Sequence, residues 1–212
     1  MSVDIEAYNR IKEELGDVTL VAVSKFKSAE DILALYDLGH RDFGENFVQE
    51  LILKQESLPK DIRWHFVGHL QSNKVKYIAP FVHLIHGVDK MKLLHEIEKQ
   101  ALKADVKIKC LLQLHIADEE TKFGFSEAEL SEAMQQTFTN IELRGLMGMA
   151  SFTSDEDKIK KEFGLLVQQY KKWRSLTDGF ETLSMGMSGD YKIAVASGSN
   201  MVRIGSLLFG SR

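Results

Sequence analysis

The chain has 212 residues, 44% of them hydrophobic and 27% charged, with a net charge of −4 and an isoelectric point near 6.0. This balance gives no electrostatic basis for binding nucleic acid or an anionic membrane. The single cysteine, Cys110, excludes an internal disulfide framework and a cysteine-type zinc cage, and no metal site is expected.

A helix carrying Ile5, Tyr8, Ile11 and Leu15 precedes the first strand-like run, residues 19–25. The N-terminus itself has no basic or apolar targeting region, and no apolar stretch is long enough to span a membrane, so the cytoplasm is the expected compartment. Ser28-Ala-Glu-Asp31 reads as a capping box, and Gly39 after Leu38 as the glycine that closes that helix. Strand-like runs follow at 41–45, 63–68, 81–88, 107–117, 141–150, 180–188 and 201–210, with helical patterns between them. Pro59 and Pro80 both fall between elements. Leu94, Ile97, Ala101 and Ala104 form one apolar helical face. A second capping box stands at Ser126-Glu-Ala-Glu129, and Ile159, Phe163, Leu166, Tyr170 and Trp173 form another face. Cys110 lies in an apolar run, where a buried, inert thiol is expected.

Strands this apolar belong to a parallel sheet covered by helices. Eight alternations predict a closed (β/α)₈ TIM barrel, one domain over residues 1–212 with an extra N-terminal helix. The runner-up is an open doubly wound sheet, but its G-x-G-x-x-G fingerprint is absent. Closure has a chemical consequence. It makes the first and last strands neighbours, so Lys25 and the 203–206 segment would meet at the C-terminal rim.

Lys25 shares a strand face with Val21 and Val23. On an interior face its amine would be partly desolvated, which favours attack on a carbonyl; on the other face it is a solvated lysine. The segments Ser184-Met-Gly-Met-Ser188 and 198–206 are rich in serine and glycine, as a phosphate site at strand and helix ends requires. Each residue also reads as ordinary turn or capping chemistry; two such loops together point to a phosphorylated aldehyde held by Lys25 as a Schiff base. Arg203 shares a face with Met201 and Gly205. It either pairs with a buried acid such as Glu45 or donates to a ring nitrogen of a ligand. His65, His83, His86 and His115 lie in or near strands. They lack the spacing of a zinc pair and read as core or rim histidines, with a catalytic dyad left open.

These residues also carry a family pattern. Val21-Ala-Val-Ser-Lys25, Phe43-Gly-Glu-Asn46 with Gln49-Glu50, and Trp64-His-Phe-Val-Gly68 with Leu70-Gln71-Ser-Asn-Lys74 are its first stretches. Arg144-Gly-Leu-Met147, Leu183-Ser-Met-Gly-Met-Ser188, and Val202-Arg-Ile-Gly205 with Phe209-Gly210 complete it, in order over nearly the whole chain. The chain resembles the pyridoxal phosphate homeostasis proteins, stand-alone relatives of the alanine racemase N-terminal barrel. The resemblance implies pyridoxal 5′-phosphate (PLP) bound as a Schiff base on Lys25, with Arg203 facing the pyridine nitrogen. It also implies that Ser188, Gly205 and Ser206 hold the phosphate, with Ser184 a further candidate, and that Asn46, His65 and Met149 line the pocket.

Two stretches depart from the pattern. His115 stands in 113–124 where the family usually has asparagine, and Tyr191-Lys192 replaces the commoner Met-Glu. The chain stops at Arg212 without the β-domain from which racemases take a second catalytic residue, a tyrosine. The expected function is therefore PLP storage, buffering or delivery, with PLP-dependent apo-enzymes as acceptors, a monomeric state and little or no turnover. The alternatives are an amino-acid racemase with Lys25 as one base, and a class I aldolase-like enzyme acting on a sugar phosphate.

Overall fold

The computed structural model describes residues 3–117 and 123–210. Eight parallel strands close into a barrel in chain order: β1 (Thr19–Val23), β2 (Asp42–Glu45), β3 (Arg63–Phe66), β4 (Leu84–Val88), β5 (Ile108–Gln113), β6 (Ile141–Met147), β7 (Thr182–Ser184) and β8 (Met201–Ile204). Pairing of Thr19 through Ala22 with Met201 through Ile204 closes the barrel, so the open sheet is excluded. Outside the strands lie α1 (Ile5–Leu15), α2 (Ala29–Asp37), α3 (Val48–Ser57), α4 (Val75–Ile78), α5 (Met91–Ala104), α6 (Glu127–Met134), α7 (Glu156–Arg174), α8 (Tyr191–Ala196) and α9 (Ser206–Phe209). Among the described residues no helix is long and apolar enough to cross a membrane.

Local chemistry accounts for the helix boundaries. Both expected capping boxes form: Ser28 with Asp31 and Ser126 with Glu129 exchange side-chain and backbone hydrogen bonds. Gly39 takes φ +88° just past α2, a conformation that favours glycine. The predicted face of α7 is buried from Ile159 to Trp173. On α1 Tyr8, Ile11 and Leu15 are buried as expected, but Ile5 is exposed and Ala7 takes its place.

Several strand-like runs overshoot the strands. β8 ends at Ile204, and residues 206–209 turn into α9 instead of extending the strand. Residues 81–83 close the turn out of α4, with the Val82 amide donating to Ile78 O at 2.9 Å. In both cases an apolar segment is buried by a helical turn, which apolarity alone does not separate from a strand.

The period of two divides the barrel into two cores. Leu20, Ala22, Ile85, Leu112, Leu146, Val202 and Ile204 point outward against the helices. Val21, Leu84, Leu111, Met147 and Met201 pack together in a second, separate cluster inside the strands. Each fully buried side chain of this kind contributes about 1.5–3 kcal/mol. The barrel interior is not wholly apolar, however: His65, His86, Ser184 and Arg203 are buried there too.

Candidate functional site

Lys25 stands two residues beyond the end of β1, half-buried at the C-terminal rim. Both of its neighbours are anchored. Ser24 turns outward and donates from Oγ to Glu45 Oε1 at 2.6 Å. Lys54 of α3 donates to Ser24 O at 2.7 Å, to Glu45 Oε1 at 2.8 Å and to Glu50 Oε1 at 2.7 Å. Glu50 Oε1 in turn accepts the Phe26 amide at 2.5 Å. Phe26 has φ +61°, unfavourable for a bulky side chain, so this contact secures a strained turn. Burial pushes the Glu45 carboxyl up, and Lys54 and Ser24 offset only part of that rise. Lys25 Nζ itself has no hydrogen bond or ion pair among the described residues.

The two serine–glycine loops also meet at this rim. Ser188 Oγ accepts the Gly205 amide at 3.3 Å, and the Arg203 amide donates to Gly186 O at 3.0 Å. A Cβ at Gly205 would lie 3.2 Å from Val23 O, so a side chain there would press against the end of β1. Gly186 has φ +98°, which turns the chain from β7 toward α8. The amides of Ser188, Gly189, Ser206 and Leu207 have no acceptor among the described residues.

Arg203 is 4% exposed. Its Nη1 donates to Ser184 Oγ at 2.6 Å and its Nη2 to Gly148 O at 3.1 Å, both neutral acceptors. Burial pushes its pKa down to about 10, and the group stays charged at neutral pH. Glu45 pairs with Lys54, so the Arg203–Glu45 alternative does not form. Asn46, just past β2, keeps a buried Oδ1 with no hydrogen-bond partner. Met149 packs half-buried against the interior cluster, as Val67 does.

Other candidates lie deeper or elsewhere. His65 is inside the barrel and lines a cavity of about 240 Å³ at the N-terminal end, with Asp42, Arg63, His83 and Lys109. Ser184 lies in the interior, within hydrogen-bond distance of His86 Nδ1 (3.1 Å) as well as Arg203. Ser199 precedes β8 at the opposite end, with Oγ 2.8–3.1 Å from three backbone carbonyls, so its segment belongs to the scaffold. His115 is half-buried, and its amide donates to Phe125 O at 3.0 Å; residues 118–122 of that stretch lie outside the described residues. Tyr191 and Lys192 open α8 and bind Glu14 of α1 at 2.6 and 3.2 Å. Sequence reasoning missed Lys54 and the part played by His86. Only the i, i+4 spacing of Glu50 and Lys54 hinted at the former.

Residues 6–212 match the family model described as alanine racemase, N-terminal domain. The pyridoxal phosphate homeostasis protein of Aquifex aeolicus is 37% identical over 204 residues, covering 91% of this chain and 86% of the relative. That of Escherichia coli is 37% identical over 205 residues, covering 92% and 86%. The chain belongs to the pyridoxal phosphate homeostasis protein family. A solved structure, PipY of Synechococcus elongatus with PLP bound, has 32% sequence identity and a TM-score of 0.86, covering 97% of this chain and 99% of its own. Alanine racemase from Bartonella henselae superposes with a TM-score of 0.74 at 16% identity, and this chain covers 59% of it. That likeness is one of fold.

Proposed function

We propose that the C-terminal rim binds PLP and that the protein stores, buffers or delivers this cofactor in the cytoplasm as a one-domain monomer. The observation that carries the reading is a set of polar groups at one end of the barrel that lack a hydrogen-bond or charge partner. The Lys25 amine is unpaired, Arg203 is buried without a carboxylate beside it, Asn46 Oδ1 is buried without a donor, and the Ser188 and Ser206 amides are open. A phosphorylated pyridine aldehyde satisfies all of them. When bound, PLP supplies a reactive aldehyde and an electron-accepting ring.

Lys25 is the nucleophile that holds the aldehyde carbon. Ser188 and Ser206 hold the phosphate through hydroxyls and open amides, and the Gly205 amide, which donates to Ser188 Oγ in the free protein, turns to it on binding. Arg203 donates to the ring nitrogen. A guanidinium cannot accept a proton, so it keeps that nitrogen unprotonated and the ring a weak electron sink, which suits a carrier better than a carbanion enzyme. Asn46 and Met149 line the pocket, while Ser184 and His65 act at one remove from it. Racemisation needs a second acid/base on the opposite substrate face. All five tyrosines lie on the outer helices, which offers no such partner for Lys25.

The test is transfer. PLP-loaded protein mixed with an apo-aminotransferase should restore its activity while losing its own PLP, with no deuterium entering Cα of alanine or serine. Exchange at Cα that depends on Lys25 would move the assignment to a racemase. A loaded protein that activates no apo-enzyme would reject delivery.

A further inference from the structure

Building on the PLP reading, we infer that Ser184, His86, His65 and Asp42 form a one-way hydrogen-bond chain through the barrel that positions Arg203, with Asp42 as its remote counter-charge. The contacts are continuous. Arg203 Nη1 lies 2.6 Å from Ser184 Oγ, Ser184 Oγ 3.1 Å from His86 Nδ1, His86 Nε2 2.9 Å from His65 Nδ1, and His65 Nε2 3.0 Å from Asp42 Oδ1.

The direction follows from the chemistry of the first member. A guanidinium only donates. Ser184 Oγ therefore accepts from Arg203 and passes its own proton toward His86 Nδ1, which must be bare. The His86 proton is then on Nε2 and points at His65 Nδ1. The His65 proton is likewise on Nε2 and points at Asp42. In the reverse direction His86 Nδ1–H would donate to Ser184, and the buried Ser184 hydroxyl proton would lose its acceptor.

Protonation states agree with this order. Burial holds the His86 pKa well below its ordinary value, and the Arg203 charge acts in the same sense, so His86 is neutral. Burial raises the Asp42 pKa, but Arg63, through contacts of 2.7 and 2.5 Å, and His65 more than offset it, so Asp42 is ionised. Ser184 and His86 are 0% exposed and His65 is 1% exposed, so water does not compete between Ser184 and His65. Hydrogen bonds aligned in one direction reinforce one another. The arrangement orients the guanidinium with neutral neighbours and keeps its nearest linked carboxylate at the far mouth. Its charge is thus left for the cofactor end.

The first test needs no variant and no cofactor. In ¹⁵N NMR of the free protein at neutral pH, His65 and His86 should both be neutral with the proton on Nε2. A proton on either Nδ1, or a charged ring, overturns the chain whether or not PLP binds. The second test measures PLP release from loaded protein. Ser184→Ala should release PLP on the order of tenfold faster, the loss of one hydrogen bond to a charged group. Asp42→Asn keeps the shape and an acceptor and lies at the opposite mouth. It should release PLP roughly two- to threefold faster and shift the His86 nitrogens. Wild-type release from both variants overturns the positioning role. Wild-type protein that takes up no PLP overturns the functional reading and the role given to Arg203, while the tautomers test the chain separately.

Discussion

At the N-terminal mouth of the barrel, the charges that open β2 and β3 meet partners. Arg63 grips Asp42 through both carboxylate oxygens, Arg41 holds Asp61, and Asp61 also accepts from Tyr36. At the C-terminal rim, Lys25, Arg203, Asn46 Oδ1 and the loop amides lack such partners, while the residues on either side of Lys25 are firmly tied. Both ends belong to the same eight strands, so topology does not produce the difference. One end spends its polar groups on the fold, and the other keeps them for a ligand, as barrels generally do.

The sharpest way to break this contrast is Lys25→Ala. It should abolish retention of PLP through gel filtration while leaving the urea unfolding midpoint at the wild-type value, because the amine contributes no contact to the fold. Lys54→Met tests the scaffold under the rim. It strands Glu45 as a buried, unpaired carboxylate, and a loss of about 3–5 kcal/mol is expected in urea denaturation. A near-neutral result would mean that Glu45 is not held as an ion pair.

Acid should weaken the fold from the paired side. Burial lowers the His40 pKa to about 4, against an ordinary value of 6.5. Between those values the unfolded chain binds a proton that the folded chain refuses, so this contribution is complete above pH 6.5 and is lost as pH falls toward 4. Roughly 3 kcal/mol is at stake for a group buried this deeply, and His86 acts in the same direction. Denaturant titrations across this range should show stability falling with pH, and a flat profile would contradict the burial of both rings. The smallest effect is expected from Lys160→Ala, which removes an exposed pair with Glu156 on the outside of α7, away from both ends. It should cost about 1 kcal/mol or less and leave PLP uptake unchanged.

The contrast between the two ends was only partly legible in the sequence. The alternation of strands and helices, the two capping boxes and Gly39 were readable because each depends on neighbours a few residues away. The meeting of Lys25 with the Ser188 and Gly205 loops followed once closure was inferred, since closure makes β1 and β8 adjacent. Depth along the barrel axis was not readable. Ser184 and Ser188 share one motif, yet four residues separate an interior partner of Arg203 from a rim hydroxyl. The period of two assigns a face and not a level. His65 and His86 come from different strands and make sense only as a pair inside a closed barrel. Lys54 was hidden for a related reason: a lysine on a helix is normally solvated, and its burial depends on Glu45 arriving from β2.

The most direct measurement is borohydride reduction of the protein after incubation with PLP, followed by peptide mapping. The protein should turn yellow and yield one reduced, PLP-modified lysine, Lys25. Modification at Lys27 or Lys54 instead, or a protein that stays colourless and unmodified, would contradict the role given to Lys25.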